Sequence, residues 1–260
     1  MFRTRIELLI CAKCPSNAQL LMNSCLSSID EVFTDFIILN LHVAYTQEEL
    51  ELLQKLIDTM EEAIHEAELS DDPRHETYLK KYYIDMASIL IRSAPEYGQE
   101  AAELLEKAYT LISETDDENL CYHCMVSAWY YTLIEPDFYK MKMLTERAAA
   151  HAEKAFHTDL EQIDIICVPT ADCYCNHGEF ALAEAKLQQA VKLCEQHPDM
   201  LPYVDKKIEL MNFLLDVYWE MKDLSRLRSM ITEIDRLNEL YREQGICREV
   251  NPELRNLAIK

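Results

Sequence analysis

The sequence predicts an all-α fold, an α-α superhelix of antiparallel helix hairpins repeated about five times. Three observations carry this. Glycine is scarce: Gly98, Gly178 and Gly245 are the only three in 260 residues, against an ordinary usage of about 7%. Sheet hairpins need glycine for positive φ, and phosphate-cradling loops need it for close backbone approach, so both classes are disfavoured. Apolar residues recur at spacings of three and four, the period of a helix. Repeat anchors at positions 44, 87, 128, 171 and 215, alanine at all but Leu215, are separated by 43, 41, 43 and 44 residues, a near-constant repeat.

Taken in chain order, residues 1–28 read as N-terminal capping helices, which an array needs to hide the apolar face of its first repeat. Residues 29–245 read as the repeat domain and 246–260 as a tail. The run Phe36–Leu41 has strand character but lies inside a longer helical pattern. Helical stripes follow at Leu50, Leu53, Leu56, Ile57, Met60 and Ile64, at Leu104, Leu105, Ala108, Leu111 and Ile112, and at Met211, Leu214, Leu215 and Tyr218. Thr46 with Glu49, Thr115 with Glu118, and Thr158 with Glu161 fit the capping box, in which two orphan helix N–H groups are satisfied reciprocally. Pro169 sits within the apolar run Ile163–Tyr174, so the helix there either kinks or begins close to the proline.

The segment Ile165–Leu193 carries the clearest repeat. Ala171 is followed by Tyr174, then by Gly178, Phe180, Ala183, Leu187 and Ala190. Small residues let the two helices of a hairpin approach, aromatics fill the space between hairpins, and Gly178 allows a tight turn. This pattern resembles the tetratricopeptide repeat. Weaker copies begin at Leu215, Ala128, Ala87 and Ala44. The period exceeds the standard 34 residues. It is similar to the long-repeat sensor arrays of bacterial signalling proteins and transcription regulators. The resemblance covers about residues 30–240 and implies a solenoid that binds a protein or peptide and catalyses nothing.

Charge bounds the partners. A formal net charge of −22 opposes direct binding to nucleic acid and to anionic membranes. Glu61, Glu62, Glu66 and Glu68 read as a solvated face. The ten cysteines lie mostly among apolar residues of helical segments. They read as small core hydrophobes in a reducing, cytoplasmic setting.

Chemistry-bearing clusters are few. Cys11 with Cys14, and Cys121 with Cys124 around His123, have the spacing of zinc-ligand pairs but lack a glycine knuckle. Cys173, Cys175 and His177 sit near a helix end, the two thiols on different faces. His75–Glu76 lacks the second histidine of a zinc-protease helix, Leu79 standing there instead. The histidines are scattered, with no triad arrangement. No cofactor and no catalytic residue is expected.

In tetratricopeptide arrays the first helix of each hairpin lines the concave, ligand-binding face. By register, the resemblance places Trp129, Asp172, Asn176, Asn212, Asp216, Trp219 and Glu220 on that face, with Cys175 beside them. The same register selects Ser88, Ile91 and Arg92, and then Met125 and Thr132. The two tryptophans are either interface anchors or core between hairpins. Asn176 and Asn212 would bracket a peptide backbone. The lysine-and-asparagine clamp of relatives that bind acidic chaperone tails is not reproduced, so a neutral or basic peptide is the expected ligand. Self-association of the array into a homodimer is the alternative.

Overall fold

The computed structural model describes residues 47–72 and 74–259. The expected N-terminal cap, the Phe36–Leu41 run, the Cys11–Cys14 pair, the Ala44 anchor and Thr46 lie outside them. Every regular element among the described residues is a helix. The chain divides into two compact units at Leu111/Ile112.

The first unit holds α1 (Gln47–Glu68), α2 (His75–Ser93) and α3 (Gly98–Leu111), with a 3-10 turn at Pro95–Tyr97 before α3. Ile57, Met60 and Ala63 of α1 are buried, while Glu61, Glu62, Glu66 and Glu68 face solvent. Helix α2 is apolar over most of its circumference and buries ten residues, Ala87 among them. It packs on α3 through Ala101, Leu105 and Ala108, the positions that the repeat assigns to a second helix. Tyr83 donates to Glu68 at 2.7 Å and Lys107 lies over the Tyr83 ring at 5.3 Å, so the three helices are also joined by polar contacts.

The second unit begins with α4 (Asp117–Leu133) and α5 (Phe138–Ala155). The cap of α4 is Asp116, which accepts from the Asn119 N–H at 3.4 Å. The expected cap, Thr115, stands one residue too early; a carboxylate fills the role more strongly at the positive helix terminus. Then come α6 (Asp159–Gln162), a π turn (Ile163–Cys167) and α7 (Val168–Asn176). The Thr158–Glu161 capping box forms as expected, with Glu161 N–H donating to Thr158 Oγ1 at 3.2 Å and Thr158 N–H to Glu161 Oε2 at 3.0 Å. At Pro169 the helix neither breaks nor starts afresh. It runs continuously through the π turn, where Val168 N–H reaches back five residues to Ile163. A widened turn is one way a helix accommodates a residue that has no N–H and a bulky ring.

The last elements are α8 (Phe180–Glu195), α9 (Leu201–Glu220), α10 (Leu224–Tyr241), a 3-10 turn (Arg242–Gln244) and α11 (Pro252–Ile259). The most extensive contacts join consecutive helices, as short-looped hairpins require. The anchors Ala128, Ala171 and Leu215 are all buried, and so are the second-helix positions Ala148, Ala152, Ala183, Leu187, Ala190, Leu227, Ile231 and Ile234. Aromatics bridge neighbouring hairpins: the Tyr174 ring meets Phe138 of α5 at 6.4 Å. The Tyr218 hydroxyl donates to Glu184 of α8 and accepts from Gln188, both at 3.4 Å.

The segment after α10 is part of this core. Ile246, Val250 and Leu254 are buried. Asn238 binds the Arg248 backbone twice, accepting from its N–H at 3.0 Å and donating to its carbonyl at 2.7 Å. The Arg248 side chain reaches Asp205 at 2.8 Å and Glu209 at 2.9 Å. Lys206 continues the chain of charges, 3.0 Å from Glu209 and 2.8 Å from Asp164 in the π turn. Burial disfavours the Lys206 charge, but these two carboxylates outweigh it and raise its pKa.

Candidate functional site

Helices α7 and α9 carry six of the seven expected binding residues. On α9, Asn212, Asp216, Trp219 and Glu220 recur at intervals of four, three and one, which stacks them along one face. Asp216, Trp219 and Glu220 are exposed and Asn212 is half-buried. On α7, Asp172, Cys175 and Asn176 occupy consecutive turns. Burial, reinforced by the charges of Asp172, Asp216 and Glu220, pushes the Cys175 thiol up to about 12. That effect requires the three carboxylates to lie near one sulfur. The result is an anionic face around a neutral thiol, with Trp219, 37% exposed, between Asp216 and Glu220 along α9.

Both asparagines differ from expectation. Asn176 Nδ2 donates to the Asp172 carbonyl at 2.9 Å and to its carboxylate at 3.1 Å, and Asn212 Nδ2 donates to the Ile208 carbonyl at 3.1 Å. Short amides fold back on the preceding helical turn. Each side-chain oxygen retains its capacity to accept a hydrogen bond.

Trp129 does not join the face. It is only 7% exposed and lies within α4. Of the other positions that the register selects before α7, Met125, Thr132, Ser88 and Ile91 are buried as well, and Arg92 is half-buried. Thr132 donates internally to the Ala128 carbonyl at 2.8 Å. Among the described residues, the fully exposed register positions therefore all lie in α7 and α9. Helices α2 and α4 carry apolar side chains nearly all round, and such helices are buried whatever the repeat position.

The cysteines behave mainly as core. Cys121, Cys124, Cys167 and Cys194 are buried thiols, and burial pushes Cys121 up to about 12 and Cys194 to about 11. Thiols held this far above neutrality are poor nucleophiles. Cys173 is buried while Cys175 is half-buried, the two-face placement expected of residues two apart. Among the described residues, no three His, Cys, Asp or Glu side chains converge in a way that suits a metal ion. Two histidines make contacts across the fold instead: His151 Nδ1 of α5 lies 2.7 Å from Asp117 of α4, and His197 Nε2, between α8 and α9, lies 3.0 Å from Asp159 of α6. No described helix is long and apolar enough to cross a membrane.

Register reasoning overlooked a cleft away from this face. A cleft of about 450 Å³ lies over α9 between α8 and α10. Its floor is Met211, Leu214 and Tyr218. The signal was present in the sequence as Val191 and Met230, apolar residues next to the second-helix core positions Ala190 and Ile231. No protein-family model, curated protein or solved structure matches the chain.

Proposed function

We propose that the α7–α9 face binds a neutral or basic peptide segment of another protein, and that the chain is a non-catalytic scaffold or sensor module of a regulatory system. The observation that carries this is the convergence of Asp172, Asp216 and Glu220 on Cys175, with Trp219 exposed alongside. Carboxylates and an indole are the groups that meet a lysine or arginine side chain, by charge and through the aromatic face. Rigid helices hold them, so little ordering cost falls on the protein side. The buried thiols fit a reducing, cytoplasmic setting.

The test uses matched unstructured peptides that differ only in exchanging Lys for Glu. Fluorescence anisotropy should show binding of the Lys peptide, weakening with salt as screening shortens the reach of the carboxylates. Asp172→Asn with Asp216→Asn and Glu220→Gln should abolish it, and Trp219→Ala should weaken it severalfold. Equal binding by the neutralised variant would refute the assignment.

A further inference from the structure

We infer that the cleft between α8 and α10 docks an amphipathic helix of a partner protein whose apolar stripe is flanked by carboxylates. The cleft is separate from the acidic face. Along α9 its floor residues are Lys207, Met211, Leu214 and Tyr218, spaced four, three and four. At about 100° per residue, their centre lies roughly 170° round the helix from that of Asn212, Asp216 and Glu220. The floor spans twelve residues of α9, Lys207 to Tyr218, about 16 Å of helix or three turns. Val191 of α8 and Met230 of α10 line the two walls, and both are half-buried although they belong to no hairpin core position. Methionines at both floor and wall give a surface that adapts to an apolar stripe.

Charge selects the occupant. The chain carries −22 overall, and on the α7–α9 face Asp172, Asp216 and Glu220 act together on Cys175. The cleft reverses the sign: its lining holds Lys192, Lys207 and Arg226 against Glu195 and Glu233. Most of these are already engaged. Lys207 bridges to Glu195 at 2.7 Å, Glu233 to Arg236 at 2.7 Å, and Arg226 to Asp223 and Glu184. Lys192, exposed on the α8 wall, has no ion-pair partner among the described residues. An incoming helix with an acidic flank neutralises that ammonium, whereas a basic flank meets it with like charge.

A synthetic helical peptide of about 14 residues, with leucines along one face and Glu on both flanks, is the probe, and its Lys-flanked twin is the control. The Glu peptide should bind the wild-type chain about tenfold more tightly than the twin. Lys192→Glu should reverse that order, Met230→Asp should abolish binding of the Glu peptide, and Trp219→Ala should leave it unchanged. Circular dichroism confirms the fold of each variant, and Lys192→Glu, an exposed substitution, decides the matter if Met230→Asp unfolds. Absence of binding, equal binding of the two peptides, or loss only with Trp219→Ala would overturn the inference. So would a wild-type dimer in sedimentation that Lys192→Glu renders monomeric, since the cleft would then belong to a second copy.

Discussion

The α7–α8 and α9–α10 hairpins solve the same turn with different residues. In the first, Gly178 sits at φ 75° and Glu179 N–H donates to the Tyr174 carbonyl at 2.9 Å. In the second, 44 residues later, Lys222 sits at φ 57° and Asp223 N–H donates to the Tyr218 carbonyl at 2.9 Å. Both are the six-to-one closure that ends a helix with a left-handed residue. The first hairpin has the right residue for the turn and a weak cap: Glu179 makes no side-chain bond to α8. The second has a lysine under strain and a good cap, since the Asp223 side chain accepts from Arg226 N–H at 3.0 Å. A repeat thus conserves the hydrogen-bond geometry of a turn while the residues that favour it are divided between two copies.

The largest test of this equivalence exchanges the anchors. Leu215→Ala should lose about 2–5 kcal/mol through the cavity it leaves. Ala171→Leu should lose about 1–3 kcal/mol by overpacking. Urea unfolding measures both, and a neutral Ala171→Leu would show that the first hairpin has room that the second fills.

Exchanging the turn residues should give smaller effects of opposite sign. Gly178→Ala should cost about 1 kcal/mol. A Cβ there meets nothing within 4 Å, so the cost is backbone strain alone. Lys222→Gly should stabilise by about the same amount. Smaller still, Glu179→Asp should stabilise by about 0.5 kcal/mol if the shorter carboxylate reaches the first turn of α8 as Asp223 reaches that of α10.

Acid should separate the hairpins too. Hydrogen bonds from the Arg226 backbone and side chain hold the Asp223 carboxyl below its usual range. A depressed carboxyl contributes stability that is complete above its unfolded value, about pH 4, and is lost as pH falls through the folded one. Asp223→Asn should therefore unfold with a shallower acid dependence than wild type, and the gap between the two curves should close below pH 4.

The all-α class and the buried anchors were legible because burial follows spacing, and spacing is a property of the sequence. Ala128, Ala171 and Leu215 each lie where a 41–44-residue period puts them. The acidic face was legible for the same reason in α7 and α9. Trp129 was not, because register fixes the direction of a side chain but not what lies against it. The cleft was missed because its floor comes from α9 and its walls from α8 and α10, a juxtaposition that exists only after the hairpins stack.

The π turn at Ile163–Cys167 acts as a phase shift written into the chain. It holds one residue more than an α turn would, and each residue advances a helix by about 100°. Asp159, which meets His197, is therefore set in one rotational frame, and Ala171 and Tyr174 in another. Removing a single residue from the turn would leave α7 on its own neighbours and swing Asp159 away from His197 by more than a quarter of a revolution. Length change in this segment is thus converted into rotation, so a one-residue insertion or deletion here re-aims the start of the helix without displacing its end.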